Sequence, residues 1–141
     1  MAERNVDGVG LLRAEFMIAG VGKHPRKFIQ EKKQKEFVAK LAEGIEKFAA
    51  PFNPRPVVYR FTDFKTNEYA TLKGGKEFET EEPNPMIGFR GVSRYLADDD
   101  VFEMEVKAIK HVRNKLGYKN LWVMLPFVRT VKQLREMKKM M

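Results

Sequence analysis

Arginines at the ends of apolar strands are the residues of this chain best placed to do chemistry. Arg13 follows Leu11-Leu12, Arg60 closes Val57-Val58-Tyr59-Arg60, and Arg90 follows Ile87-Gly88-Phe89. In parallel α/β architectures ligands bind beyond the carboxyl ends of the strands. A planar guanidinium binds phosphate or carboxylate oxygens through two parallel hydrogen bonds. Three such forks converging there would suit a small, highly charged anion. A structural ion pair or a plain surface charge would explain any one of them, but repetition at three matching positions favours a shared site. Asp63 and Glu15 follow the first two arginines closely. They either hold the guanidiniums in place or face a metal-bound ligand, with a plain salt bridge as the alternative.

Other chemistry is poorly supported. Gly8, Gly10, Gly88 and Gly91 flank these elements but form neither GxGxxG nor a Walker loop. His24 precedes Pro25 in a loop, and His111 falls between Ile109 and Val112 of a helix; neither has a visible ligand partner or a nucleophile motif. Asp98-Asp99-Asp100 resembles a metal cluster, yet its place just before a helix makes N-capping the better account.

The elements that must position the arginines alternate. Val9 to Leu12, Pro56 to Phe61, Met86 to Arg90 and Leu121 to Leu125 read as four short strands. The last is apolar on both faces, as a buried parallel strand is. Phe37, Val38, Leu41, Ile45 and Phe48 mark a helix across roughly Lys27 to Ala49. Phe102, Val106, Ile109 and Leu116 mark a second, which Gly117 can close in a left-handed cap. A third amphipathic stretch follows the Thr130-x-x-Gln133 capping box. Phe64 to Pro85, with Gly74-Gly75 and an acidic run, is expected to be a hairpin-like excursion after the second strand. The order β-α-β-(loop)-β-α-β-α predicts a parallel sheet with right-handed crossovers.

The 141 residues are enough for one domain, here 1–141, and 43% apolar content supports a packed core. The absence of cysteine excludes disulfides and a cysteine nucleophile within the chain. There is no apolar run of membrane-spanning length, and Met1 to Asn5 lack a signal-peptide layout, so a cytoplasmic protein is expected. The 27 basic and 19 acidic residues leave a net charge of +8. The excess falls in Lys23 to Lys40 and Lys132 to Met141, which read as solvated helix faces. Stacking aromatics are not interleaved with them, so no nucleic-acid partner is expected.

Gly8-Val9-Gly10-Leu11-Leu12-Arg13-Ala14-Glu15-Phe16, the run from Arg60 through Asp63-Phe64-Lys65-Thr66-Asn67-Glu68-Tyr69, and Asn84-Pro85-Met86-Ile87-Gly88-Phe89-Arg90-Gly91 carry a family resemblance, as does Val123 to Thr130. They closely resemble the phosphoenolpyruvate-binding barrel of the phosphoenolpyruvate synthases (pyruvate, water dikinases), relatives of pyruvate phosphate dikinase and enzyme I of the sugar phosphotransferase system. The resemblance runs over nearly the entire chain. It implies a partial TIM-type (β/α) barrel of about four parallel strands. It also implies that Arg13, Arg60 and Arg90 grip the phosphate and carboxylate of phosphoenolpyruvate, with Asp63 in the same site.

In that family ATP, pyruvate and water give AMP, phosphoenolpyruvate and phosphate through a phosphohistidine on a mobile domain. The magnesium-binding Glu and Asp and the cysteine acid come from later strands. None of these motifs, nor the nucleotide and phosphohistidine domains, is recognised in this sequence. The expectation is therefore the N-terminal half of the barrel: a binder of phosphoenolpyruvate or pyruvate with no catalytic residue or cofactor of its own. Magnesium is expected only in the complete enzyme. The expected macromolecular partner is the other half-barrel or a second copy. The alternative is a non-catalytic module that self-assembles through its open strand edges.

Overall fold

The structure is a computed structural model that describes residues 2–141. Three strands, β1 (Val9–Arg13), β2 (Val57–Arg60) and β3 (Leu121–Met124), form one parallel sheet in the order β1-β2-β3. The register sets Arg13 opposite Arg60, and Arg60 opposite Met124. Helices cross between them: α1 (Ala14–Val21), α2 (Pro25–Gln30) and α3 (Gln34–Phe52) after β1; α4 (Thr66–Tyr69), α5 (Val92–Ala97) and α6 (Asp99–Lys110) after β2; and α7 (Val131–Met140) at the end. This is the expected parallel α/β arrangement with one strand fewer.

Met86 to Arg90 is a turn, not a strand. Pro83 and Pro85 remove donors that a ladder would need. The remaining groups are satisfied locally: Asn84 Oδ1 accepts from Met86 N–H at 3.2 Å, and Glu82 Oε1 accepts from Phe89 N–H at 2.9 Å. Arg129 donates to the carbonyls of Ile87 and Gly88. With no sheet to cover them, Met86 and Ile87 are 57% and 75% exposed.

The excursion from Phe64 to Pro85 is not a hairpin either. It holds α4 and a 3-10 turn at Gly75–Glu77, and its one bridge pairs Lys73 with Lys23. Glu68 reaches back to accept from Lys65 N–H at 2.9 Å, and this half of a capping box favours helix over strand. The helix expected from Lys27 is divided, because Lys32 takes a left-handed φ of 56° between α2 and α3. The basic faces are solvated and paired, within α3 for Lys40 with Glu36 and across to the 3-10 turn for Lys27 with Glu77. Past α6 the chain continues as a π turn, and Gly117 at φ 84° provides the expected left-handed stop.

One side of the sheet is the core. Val57, Tyr59, Phe61 and Leu121 pack with Ile18, Leu41, Ile45, Tyr95 and Phe102 from the helices, and Phe61 touches both Tyr95 and Phe102 ring to ring. At the end of the sheet, Gly91 (φ 58°, ψ −138°) lets the Arg90 loop meet the turn after β3. Val92 N–H donates to Pro126 C=O at 3.0 Å, and a Cβ on Gly91 would lie 2.7 Å from that oxygen. A Gly91→Ala variant is expected to lose about 2 kcal/mol or more, through both the clash and the strained backbone. Denaturant melts of the two proteins would measure the difference; equal midpoints would contradict this account of the loop.

Candidate anion-binding site

Arg13 and Arg60 are the last residues of neighbouring parallel strands, so their guanidiniums emerge at one end of the sheet. Arg90 arrives from the turn before α5 rather than from a strand end, yet reaches the same place. All three line one pocket of about 440 Å³, together with Glu15, Phe16, Phe64, Asp63 and Glu68.

Arg90 is nearly buried. Its Nε donates to Asp63 Oδ1 and one terminal nitrogen donates to Asp63 Oδ2, each at 2.9 Å. Its other terminal nitrogen donates to Met86 C=O at 3.2 Å, and Phe127 lies beneath the guanidinium at 4.3 Å. Arg60 donates to Glu15 Oε1 at 2.9 Å, and the same oxygen accepts from Asp63 N–H at 2.6 Å. Arg60 also lies 3.8 Å from Asp63 Oδ2. Glu15 Oε2 and Arg60 Nε are buried without a hydrogen-bond partner. Arg13 stands exposed at the rim.

The residues expected to share a site, Arg13, Arg60, Asp63 and Arg90, are therefore together. Asp63 meets the site through its grip on Arg90. Glu68, which the sequence did not single out, joins them. Its burial raises its pKa, but hydrogen bonds from Lys65 backbone and side chain outweigh that and leave it below the ordinary value.

Two buried polar clusters behind the pocket also escaped sequence reasoning. His24 lacked a visible partner in sequence, but the fold gives it one: its Nε2 lies 3.0 Å from Glu79 Oε1, and its Nδ1 accepts from Arg26 N–H. Glu79 takes both terminal nitrogens of Arg94 at 2.7 and 2.8 Å. The acidic run at Glu77 to Glu82 gave no hint which member would be buried. Glu105 is wholly enclosed, accepting from Tyr59 OH at 2.9 Å and Tyr95 OH at 2.5 Å. Burial pushes its pKa up despite these bonds. A signal existed here: Glu105 shares the apolar stripe of Phe102, Val106 and Ile109. In the Asp98-Asp99-Asp100 run, Asp98 pairs with Arg26 at 3.2 Å, and Asp100 accepts from Val101 N–H at 2.8 Å. The expected N-cap hydrogen bond is not made: Asp98 holds the N-cap position without a side-chain cap bond, and Asp99 and Asp100 lie inside the first turn of α6. Among the described residues, no group of three or more His, Cys, Asp or Glu is placed to hold a metal ion, and no helix is long and apolar enough to cross a membrane.

A parallel α/β fold with arginines at one end of its sheet defines a class, and comparison gives it a family. Residues 1–141 match the model of the PEP-utilising enzyme, PEP-binding domain, and the chain belongs to that family. It is 54% identical over 138 residues to the probable phosphoenolpyruvate synthase of Staphylothermus marinus, covering 96% of this chain and 16% of that protein. It is 52% identical to the phosphoenolpyruvate synthase of Aeropyrum pernix, covering 96% of this chain and 17% of that protein. Against the phosphoenolpyruvate synthase of Escherichia coli the identity is 42%, over 92% of this chain and 19% of that protein. The chain thus spans less than a fifth of the length of these relatives.

The Glu79 cluster carries a pH signature. Burial raises the Glu79 pKa, but the hydrogen bonds from His24 and Arg94 and the Arg94 charge outweigh it, leaving the carboxyl below its ordinary 4.5. A carboxyl depressed in the folded state stabilises above its unfolded pKa, and that contribution fades as pH falls through the folded value. Wild type should therefore melt well above Glu79→Gln at neutral pH, and the gap should narrow only below about 4.5. Paired melts across that range check it; a gap that closes between pH 8 and 6 would contradict this assignment.

Proposed function

We propose that this chain supplies the arginine side of a phosphoenolpyruvate or pyruvate site, in an enzyme of the phosphoenolpyruvate synthase type. The observation that carries the reading is the convergence of Arg13, Arg60 and Arg90 on one pocket at the carboxyl ends of parallel strands. Phosphoenolpyruvate bears a phosphate and a carboxylate a few bonds apart, and guanidinium forks suit both groups. Arg60 and Arg90 are already held by carboxylates, so their positions are set before a ligand arrives. Arg13, exposed at the rim, is the fork free to turn toward it. The family match and the phosphoenolpyruvate synthase relatives support the choice of ligand.

In the full reaction this reading implies, ATP, pyruvate and water give AMP, phosphoenolpyruvate and phosphate. The part assigned to these residues is binding and orientation. The carboxylates in the pocket are engaged with Arg60, Arg90 and Lys65, so they do not fit a magnesium site. A cytoplasmic setting belongs to the same reading.

A second reading has one observation in its favour. β3 has a neighbour on one side alone, and Trp122 is 63% exposed, with Val123 and Met124 open beside it. Unpaired apolar edges invite strand addition. In this reading the chain is a self-assembling module, pairing β3 with an edge of a second copy. Light scattering separates the two: a folded monomer at micromolar concentration removes the second.

For the first reading, phosphoenolpyruvate at about 100 times its Kd would add about 2.7 kcal/mol of stability, a rise of several degrees in melting temperature. Arg60→Ala should abolish the rise. A wild-type melt indifferent to millimolar phosphoenolpyruvate would count against ligand binding by this chain.

A further inference from the structure

Glu15 is the first-turn carboxylate of α1, and it touches two parts of the site at once. Its Oε1 accepts from Arg60 and from Asp63 N–H, while Asp63 in turn clamps Arg90. Guanidinium and carboxylate thus alternate as Glu15, Arg60, Asp63, Arg90. Counting the lining, three arginines (Arg13, Arg60, Arg90) face three carboxylates (Glu15, Asp63, Glu68), so the pocket has no formal surplus of positive charge. That is unusual chemistry for an anion site, and the three carboxylates are not equivalent. Asp63 has both oxygens on Arg90. Glu68 is drawn outward to Lys65 at 3.0 Å. Glu15 alone has an oxygen, Oε2, enclosed and unpartnered beside the guanidinium it neutralises.

We propose that Glu15 is a specificity-determining positioning residue: it anchors Arg60 and cancels its charge, so that the pocket rejects small inorganic anions and admits an organic phosphate bearing a second anionic group. A lone phosphate meets the Glu15 carboxylate together with Arg60 and gains little. A ligand with separated phosphate and carboxylate groups engages Arg13 as well as the held guanidiniums, and the additional contacts offset the repulsion. Discrimination then comes from a built-in unfavourable interaction as much as from attraction. The proposal rests on the anion-site reading given above.

The test is calorimetric titration of the chain, Glu15→Gln and Glu15→Asp with inorganic phosphate and, separately, with phosphoenolpyruvate, alongside thermal melts. Glu15→Gln keeps an acceptor for Asp63 N–H but removes the charge, and should bind phosphate about fivefold tighter than wild type. Its preference for phosphoenolpyruvate over phosphate should fall by at least that factor. Glu15→Asp keeps the charge on a shorter arm, so phosphate should stay weak while phosphoenolpyruvate weakens with the loss of the Arg60 anchor. Unchanged or weaker phosphate binding by Glu15→Gln would overturn the proposal, as would an equal loss of both anions. Loss of cooperative melting in both variants would assign Glu15 to the fold and overturn it too. If wild type ignores phosphoenolpyruvate, the functional reading fails on its own, and the phosphate comparison still decides the role of Glu15.

Discussion

Three guanidinium groups cannot crowd one end of a small sheet without negative charge between them. At about 4 Å, two like charges near a protein surface repel by about 4 kcal/mol. Glu15 and Asp63 supply the missing charge, and the local architecture follows from where they must stand. Asp63 is almost fully buried against Arg90, so the β2–α4 connection has to descend into the protein rather than loop out. Glu15 must sit in the first turn of α1, directly after β1, to reach both Arg60 and the Asp63 backbone. The Arg90 turn must then come down over Asp63, with Gly91 allowing it to meet Pro126 and Phe127.

Behind this pocket the same problem is solved twice more with the polarity reversed. Glu79 is a buried carboxylate surrounded by donors, with Arg94 forked onto it and His24 alongside; Arg94 also lies between the rings of Tyr69 and Phe89 at 4.7 and 4.6 Å. Removing one partner of such a pair leaves an uncompensated charge in the interior, which is why the cluster fixes the acidic loop against α5. Glu105 has no cation beside it; burial raises its pKa, and the hydrogen bonds from the tyrosine hydroxyls offset only part of that. It joins α6 to Tyr59 of β2 and Tyr95 of α5. The loop leading to Asp63 is thus braced from below, with Thr62 N–H directed at Glu105 at 3.4 Å.

What was legible in the sequence was whatever periodicity or position encodes. β1, β2 and β3 were visible as β-branched or leucine runs, and the arginines at Arg13 and Arg60 were visible as strand ends. Arg90 is expected at a strand end; its neighbours form a turn instead, and that turn opens at the same end of the sheet. Met86, Ile87 and Phe89 match a short buried strand in composition, but Pro83 and Pro85 and the hydrogen bonds with Glu82, Asn84 and Arg129 make a turn of them. Arg129 lies 41 residues from Gly88, and nothing in the local sequence marks the Glu82 or Asn84 side chain as the acceptor. Glu79 and Glu82 sit in one acidic run with Glu77 and Glu81, and sequence cannot say which of them turns inward. The break at Lys32 was hidden for a similar reason, since a lysine at positive φ carries no compositional mark.

The pleat of β2 ties core and site together. Successive side chains along a strand point to opposite faces, and β2 alternates buried and half-buried residues through Val57, Val58, Tyr59 and Arg60. Tyr59 therefore turns into the helical layer, where its hydroxyl reaches Glu105, and Arg60 turns to the other side, where it reaches Glu15. Shifting the strand by one residue would exchange them, burying a guanidinium against Tyr95 and Phe102 and sending the tyrosine into the pocket. The cost of burying an unpaired charge excludes that alternative by several kcal/mol. The register of the sheet is thus held from both faces, and the aromatic core that stabilises the fold is also what aims Arg60 at the pocket.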